Sequence, residues 1–91
     1  MTSIPWEWIL DRHIAKYGYS GTVIRSLRIK HSMTRKQLAN ALKKRNSFIK
    51  KIENTEKIGI KLAKQLAYIF SLSNYRELRD KSFYIQHKKD K

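Results

Sequence analysis

The chain has no cysteine in its 91 residues, which excludes a disulfide framework, a thiolate metal site and a cysteine nucleophile. This fits a reducing compartment, and a cytoplasmic location is expected. Its three glycines, Gly18, Gly21 and Gly59, are too few and too scattered for a phosphate-cradling loop. No apolar run approaches the ~20 residues that span a bilayer. The N-terminus also lacks the basic and apolar segments of a secretory signal. His13, His31 and His87 lie far apart with no i, i+4 pair, so no metal site is expected. Acids are scarce: 7 Asp and Glu face 21 Lys and Arg, giving a formal net charge of +14. They are scattered and read as surface or structural groups, so neither an active site nor a cofactor is expected. The charge excess repels itself in a compact state and points to a polyanionic partner, nucleic acid before a membrane surface. A membrane role is disfavoured because Glu7, Asp11, Arg12 and Lys16 leave the first helix without a basic face.

What is present is helical periodicity, in a length that supports one domain with one modest core. Trp6, Ile9, Leu10, His13, Ile14 and Tyr17 recur three and four apart and predict one amphipathic N-terminal helix, started near Pro5 and ended by Gly18. Two roles stay open for it, packing on the domain's own core or forming a partner surface. Trp8, off the main stripe, keeps the second alive. Residues 19–21 read as a link. Ile24 and Leu27, with His31 as a candidate third member, mark the next helix, and Arg28 sits on the same face. An unpaired charge there is expensive to bury.

The most informative stretch is TRKQLANALKKRNSFIKKIE, residues 34–53. Thr34 and Gln37 have the spacing of a capping box. Leu38, Ala39 and Leu42 mark one buried stripe; Phe48, Ile49 and Ile52 mark a second. Only a tight turn fits between them, so the stretch predicts a helix-turn-helix, the unit that sets its second helix into the DNA major groove. Leu62, Ala63, Leu66, Ala67, Ile69 and Phe70 predict a core helix after a loop over residues 54–59. Ser73 or Asn74 then caps a short helix carrying Tyr75 and Leu78. Residues 82–86 read as an edge strand or a continued helix, and the last five residues as frayed.

Leu38-Ala39, then Ile49, then Ile52-Glu53 resembles the lambda-repressor-like (XRE or Cro-type) helix-turn-helix family, over about residues 21–80. The resemblance implies an all-α protein. Its parts are an extra N-terminal amphipathic helix and link (1–20), a five-helix DNA-binding domain (21–80) and a short basic tail (81–91). It departs in the turn. The family usually has glycine at Lys43, an apolar residue at Lys44 and Ser or Thr at Arg45, so Asn46 or Ser47 is the alternative cap for the second helix of the pair. Carried over by position, the family implies base contacts from Arg45, Asn46, Ser47, Lys50 and Lys51, types suited to base edges. Phosphate contacts fall to Arg35, Gln37, Lys43, Lys44, Lys57 and Lys61. Arg25, Lys30, Lys36 and Lys64 are further candidates for the rim. The family also implies a buried ion pair between Arg28 and Glu53. The expected partner is double-stranded DNA, bound by a homodimer acting as a transcriptional regulator, most simply a repressor.

The stretch from Glu53 to Ala67 resembles a subset of that family encoded beside toxins, which implies a possible toxin partner and an antitoxin role. Two other classes remain: a protein-interaction module with only non-specific DNA binding, and an RNA binder. For the latter, aromatics interleaved with basic residues are largely missing outside Phe83-Tyr84.

Overall fold

The N-terminal apolar stripe does not form one helix. In the computed structural model, which describes residues 3–89, a single 3-10 turn over Trp6–Trp8 leads into extended Ile9, and α1 spans only Asp11–Tyr17. Packing explains the break. Ile4, Ile9 and Ile14 are all buried, yet residues five apart on one helix point about 140° away from each other. Extended Ile9 lets Ile4 and Ile9 both turn inward, and Trp8 and Leu10 are left exposed.

Gly18, at φ +82°, ends α1 and begins α2, Tyr19–Lys30. Residues 19–21, expected as a link, are instead the buried first turn of α2. Their N–H groups find acceptors far along the chain: Tyr19 donates to Glu56 Oε2 (3.1 Å), Ser20 to the Glu56 carbonyl (3.2 Å) and Gly21 to the Thr55 carbonyl (2.9 Å). A Cβ on Gly18 would lie 2.4 Å from the Thr55 carbonyl oxygen. No local pattern announces that contact.

The Thr34 hydroxyl accepts from the Gln37 N–H (3.1 Å), and Gln37 Oε1 accepts from the Thr34 N–H (2.8 Å), which starts α3, Arg35–Leu42. Three residues later α4 runs over Asn46–Ile52, and α5 over Ile60–Ile69. The expected fifth helix of the domain is one 3-10 turn, Tyr75–Leu78, with Asn74 Oδ1 accepting from the Arg76 N–H. The tail is helical: α6 covers Ser82–Lys89, and its Tyr84 and His87 rings lie against Trp6. Of the five residues expected to fray, 90 and 91 lie outside the described residues. The described residues are thus all-helical, with six α-helices and no strand.

α2 is the central element. Ile24 and Leu27 from α2, Leu38 from α3, Ile49 from α4, Leu66 from α5 and Leu78 are fully buried together. At roughly 1.5–3 kcal/mol per large apolar side chain, this contact holds α3 and α4 by their apolar faces and turns their polar faces outward. Leu62 and Ile69, expected in the core, are only half-buried at its edge.

Candidate nucleic-acid interface

The turn between α3 and α4 is made by Lys43, Lys44 and Arg45. Lys43 closes α3 in the left-handed conformation (φ 58°, ψ 43°), its N–H reaching the Asn40 carbonyl, while the Lys44 N–H reaches the Ala39 carbonyl at 2.9 Å. Glycine adopts this conformation without strain; a Cβ-bearing residue incurs roughly 1–2 kcal/mol. Arg45 is extended and occupies the N-cap of α4 with no side-chain bond to the helix. Asn46 and Ser47, the alternative caps, therefore do not cap. They are the first helical residues of α4, and both are exposed. Their polar side chains are spent on no backbone group and stand available to an outside partner.

Behind this face sits one buried carboxylate. Glu53, 0% exposed, takes Arg28 Nε on Oε2 at 2.6 Å and Arg35 Nε on Oε1 at 3.0 Å. Its backbone carbonyl accepts from Arg25 Nε (2.9 Å), and Arg28 Nη1 donates to the Met33 carbonyl (2.9 Å). One residue thus joins α2, the start of α3 and the end of α4. Gly21 presses on the same point: a Cβ there would lie 2.7 Å from the Glu53 carbonyl carbon and oxygen. The loop that follows is clamped to α2 by the three bonds to residues 19–21. Lys57 is therefore carried on a segment tied to the central helix.

The residues implied by position fall into two groups. Arg45, Asn46, Ser47, Lys50 and Lys51 are all exposed on α4 or its cap, and Lys43 and Lys44 are exposed in the turn. Lys57 and Lys61 are exposed on the loop and on α5. None of these lysines or Arg45 has a carboxylate partner among the described residues. Lys44 Nζ lies 5.4 Å from the Phe48 ring centre, which holds the amine near the turn. Gln37 uses Oε1 in the capping box and keeps its amide N–H groups for another acceptor. Arg35 differs: its Nε is committed to Glu53, and only its two terminal nitrogens, on a side chain 35% exposed, are left for a phosphate.

A sequence signal for this face went unread. Residues 12–52 contain no aspartate or glutamate but twelve lysines and arginines. The acid-free run reaches from the second residue of α1 to the end of α4, and the carboxylate that follows it, Glu53, is spent on Arg28 and Arg35 rather than on the turn or α4. Chemically, the face is an array of amines, guanidinium groups and amides, donors matched to phosphate oxygens and base edges. Among the described residues no three His, Asp or Glu side chains converge where a metal ion could sit, and no helix is long and apolar enough to cross a membrane. No family model, curated protein or solved structure matches the chain.

Proposed function

We propose that the chain is a lambda-repressor-like helix-turn-helix regulator that binds double-stranded DNA with α4 in the major groove. One observation carries this reading. α3 and α4 are joined by a three-residue turn, buried on one side against α2, and together expose an unpaired basic and amide face on the other. Lys43, Lys44, Lys57 and Lys61, with Gln37 and the free end of Arg35, supply phosphate contacts. Arg45, Asn46, Ser47, Lys50 and Lys51 meet base edges. Lys43 holds the left-handed position that the family fills with glycine, so the unusual basic turn keeps the geometry and adds charge. Regulation follows as repression by a cytoplasmic homodimer on two half-sites about one helical turn apart.

The test is binding to duplex DNA carrying the chain's own upstream region, against competitor DNA at several salt concentrations. Five cationic phosphate contacts, four from lysine and one from Arg35, predict a log–log salt slope of about −4.5 per protomer. Asn46→Ala is expected to relax sequence preference, and Lys57→Ala to flatten the slope by about 0.9 without altering preference. Equal affinity for all sequences would rule out base reading by α4.

A second reading has its own observation. Trp8, Leu10 and Ile29 are 47%, 44% and 58% exposed, and Trp8 and Ile29 line a cleft of about 240 Å³ beside Tyr17 and Arg25. Exposed tryptophan beside an arginine stacked on tyrosine (Arg25 Cζ 3.9 Å from the Tyr17 ring centre) has the composition of a protein-docking surface. It supports an antitoxin that holds a toxin on its N-terminal face. Co-purification with the product of a neighbouring reading frame, lost in Trp8→Ala, tests it.

A further inference from the structure

Lys57 belongs to a second basic feature. A cleft of about 590 Å³ lies between the loop after α4, the start of α5 and the segment joining the 3-10 turn to α6. It is lined by Lys57, Arg76, Arg79 and Lys81 and by one acid, Asp80. Four cations around one concavity repel each other unless an anion sits among them. None of the four has a carboxylate oxygen within ion-pair distance among the described residues. Asp80 compensates them only in part: the Ser82 hydrogen bonds first, then the charges of Lys57 and Arg76, hold its carboxyl below the ordinary 3.8, yet it stands as one acid against four cations.

The cleft is built rather than incidental. Arg79 is half-buried and fixed by Nε donating to the Ile58 carbonyl at 2.7 Å, which leaves its terminal nitrogens for a ligand. Ile60, the first residue of α5, also lines the cleft, and the Gly59 N-cap gives the first turn of this ten-residue helix no side-chain acceptor. Guanidinium forks and oriented N–H groups suit one ligand chemistry, a tetrahedral oxyanion with several equivalent oxygens.

We propose that this cleft binds a phosphate group through Lys57, Arg76, Arg79 and Lys81. The phosphate comes either from the backbone of a duplex held by α4 or from a free nucleotide. The site itself stands on the cleft and not on the DNA reading; only the choice of source involves that reading.

The first arm titrates the full chain with inorganic pyrophosphate and follows backbone amide resonances. Residues 59–61 and 76–81 are expected to shift before those of α4. Arg76→Ala combined with Lys81→Ala removes two exposed side chains that make no ion pair among the described residues and act on Asp80 and Asp11 only through their charge. This double variant is expected to weaken pyrophosphate binding about 10-fold. Asp80→Asn, which keeps an acceptor for Ser82, is expected to strengthen it about 3-fold. Arg12→Ala combined with Lys16→Ala removes the same charge elsewhere and is expected to change affinity by less than about 2-fold. Equal weakening by both double variants, or shifts spread evenly over all basic segments, overturns the site in favour of general charge attraction.

The second arm measures the DNA salt slope of Arg76→Ala/Lys81→Ala. A slope flatter by about 1.8, with pyrophosphate competing, places a backbone phosphate in the cleft. An unchanged slope with pyrophosphate binding still lost assigns the cleft to a free phosphorylated ligand. Should the chain bind no DNA, the pyrophosphate arm alone decides.

Discussion

Replacing Glu53 by glutamine tests the joint beneath the candidate interface. Both carboxylate oxygens are in use, at 2.6 Å from Arg28 Nε and 3.0 Å from Arg35 Nε. Glutamine keeps the shape but offers one oxygen, and it turns an N–H₂ toward one of the two guanidinium groups. The two arginines are not equal. The Arg28 side chain is 14% exposed and cannot turn to water, whereas the Arg35 side chain is 35% exposed and can. Breaking a buried pair from one side costs about 3–5 kcal/mol, while a water-screened pair contributes about 0–1 kcal/mol. We therefore expect Glu53→Gln and Arg28→Ala each to lose about 3 kcal/mol or more, and Arg35→Ala about 1 kcal/mol. A domain of this length has roughly 5–14 kcal/mol in total, so the first two lower Tm by more than about 12 °C. Urea unfolding followed by far-UV circular dichroism ranks the variants, with exposed Glu7→Gln as the surface control. The double variant Glu53→Gln/Arg28→Ala should be less destabilised than the sum of its parts by at least about 1 kcal/mol. The reasoning fails if Glu53→Gln lies within about 0.5 kcal/mol of the parent chain, as a surface change would.

Four other outcomes are expected. Lys43→Gly relieves about 1–2 kcal/mol of left-handed strain and loses about 0.4–1 kcal/mol through the freer unfolded chain. Calorimetry should show a net rise in Tm of a few degrees, together with a DNA salt slope flatter by about 0.9 if Lys43 meets a phosphate. Gly18→Ala forces a Cβ into the Thr55 carbonyl at positive φ, whereas a Cβ on Gly59 meets nothing within 4 Å. Thermal melts should separate them, with a loss above about 2 kcal/mol for the first and a change within about 1 kcal/mol for the second. At the α1–α6 contact, Asp11 accepts from Lys88 Nζ and the Tyr84 hydroxyl. The Lys88 bond, then the Tyr84 bond, holds its carboxyl below the ordinary 3.8. Burial first, then Asp11, pushes Tyr84 up to about 12 from 10.0. A lowered acid stabilises above its ordinary value and is lost as pH falls; a raised phenol stabilises below 10.0 and is lost as pH climbs toward 12. The Trp6 indole resonance should move in both windows, and Asp11→Asn should abolish the acid step; persistence of that step refutes the assignment. Finally, Tyr68 is 86% exposed beside an apolar cleft lined by Ala41, Leu42 and Ile69. If the proposed homodimer forms and uses this face, Tyr68→Glu yields monomers in sedimentation equilibrium and a melt that no longer depends on protein concentration, and an unaltered dimer excludes the face.

The helices that could be read from the sequence were those whose signals are local. The Thr34–Gln37 capping box, the Leu38–Leu42 and Ile49–Ile52 stripes and the apolar run of α5 need only their own neighbours to specify helix, and each appears with the expected start or face. The misread segments depend on distant atoms. Residues 19–21 look like a link because Gly18 and Gly21 suggest a break; they are helical because Glu56 and Thr55 satisfy their N–H groups. Residues 6–17 carry one helical stripe, but Ile9 and Leu10 are extended between two short pieces, which lets Ile9 and Ile14, five apart, both be buried. The cap of α4 stayed open between Arg45 and Asn46 or Ser47, because the latter two have the better side chains for capping. Lys43 instead fixed the turn so that Arg45 falls at that position.

By itself, then, the chain determined its helical class, the positions of α3, α4 and α5, and a large excess of positive charge. These rest on side-chain periodicity and composition, which any conformation of the chain carries. Only the tertiary structure decided that Arg35 shares Glu53 with Arg28, and that α2 begins at Tyr19. The same packing gathered Lys57, Arg76, Arg79 and Lys81 around one cleft. Those arrangements join residues many positions apart, and a buried carboxylate or a shared concavity exists only once packing has removed water from around it.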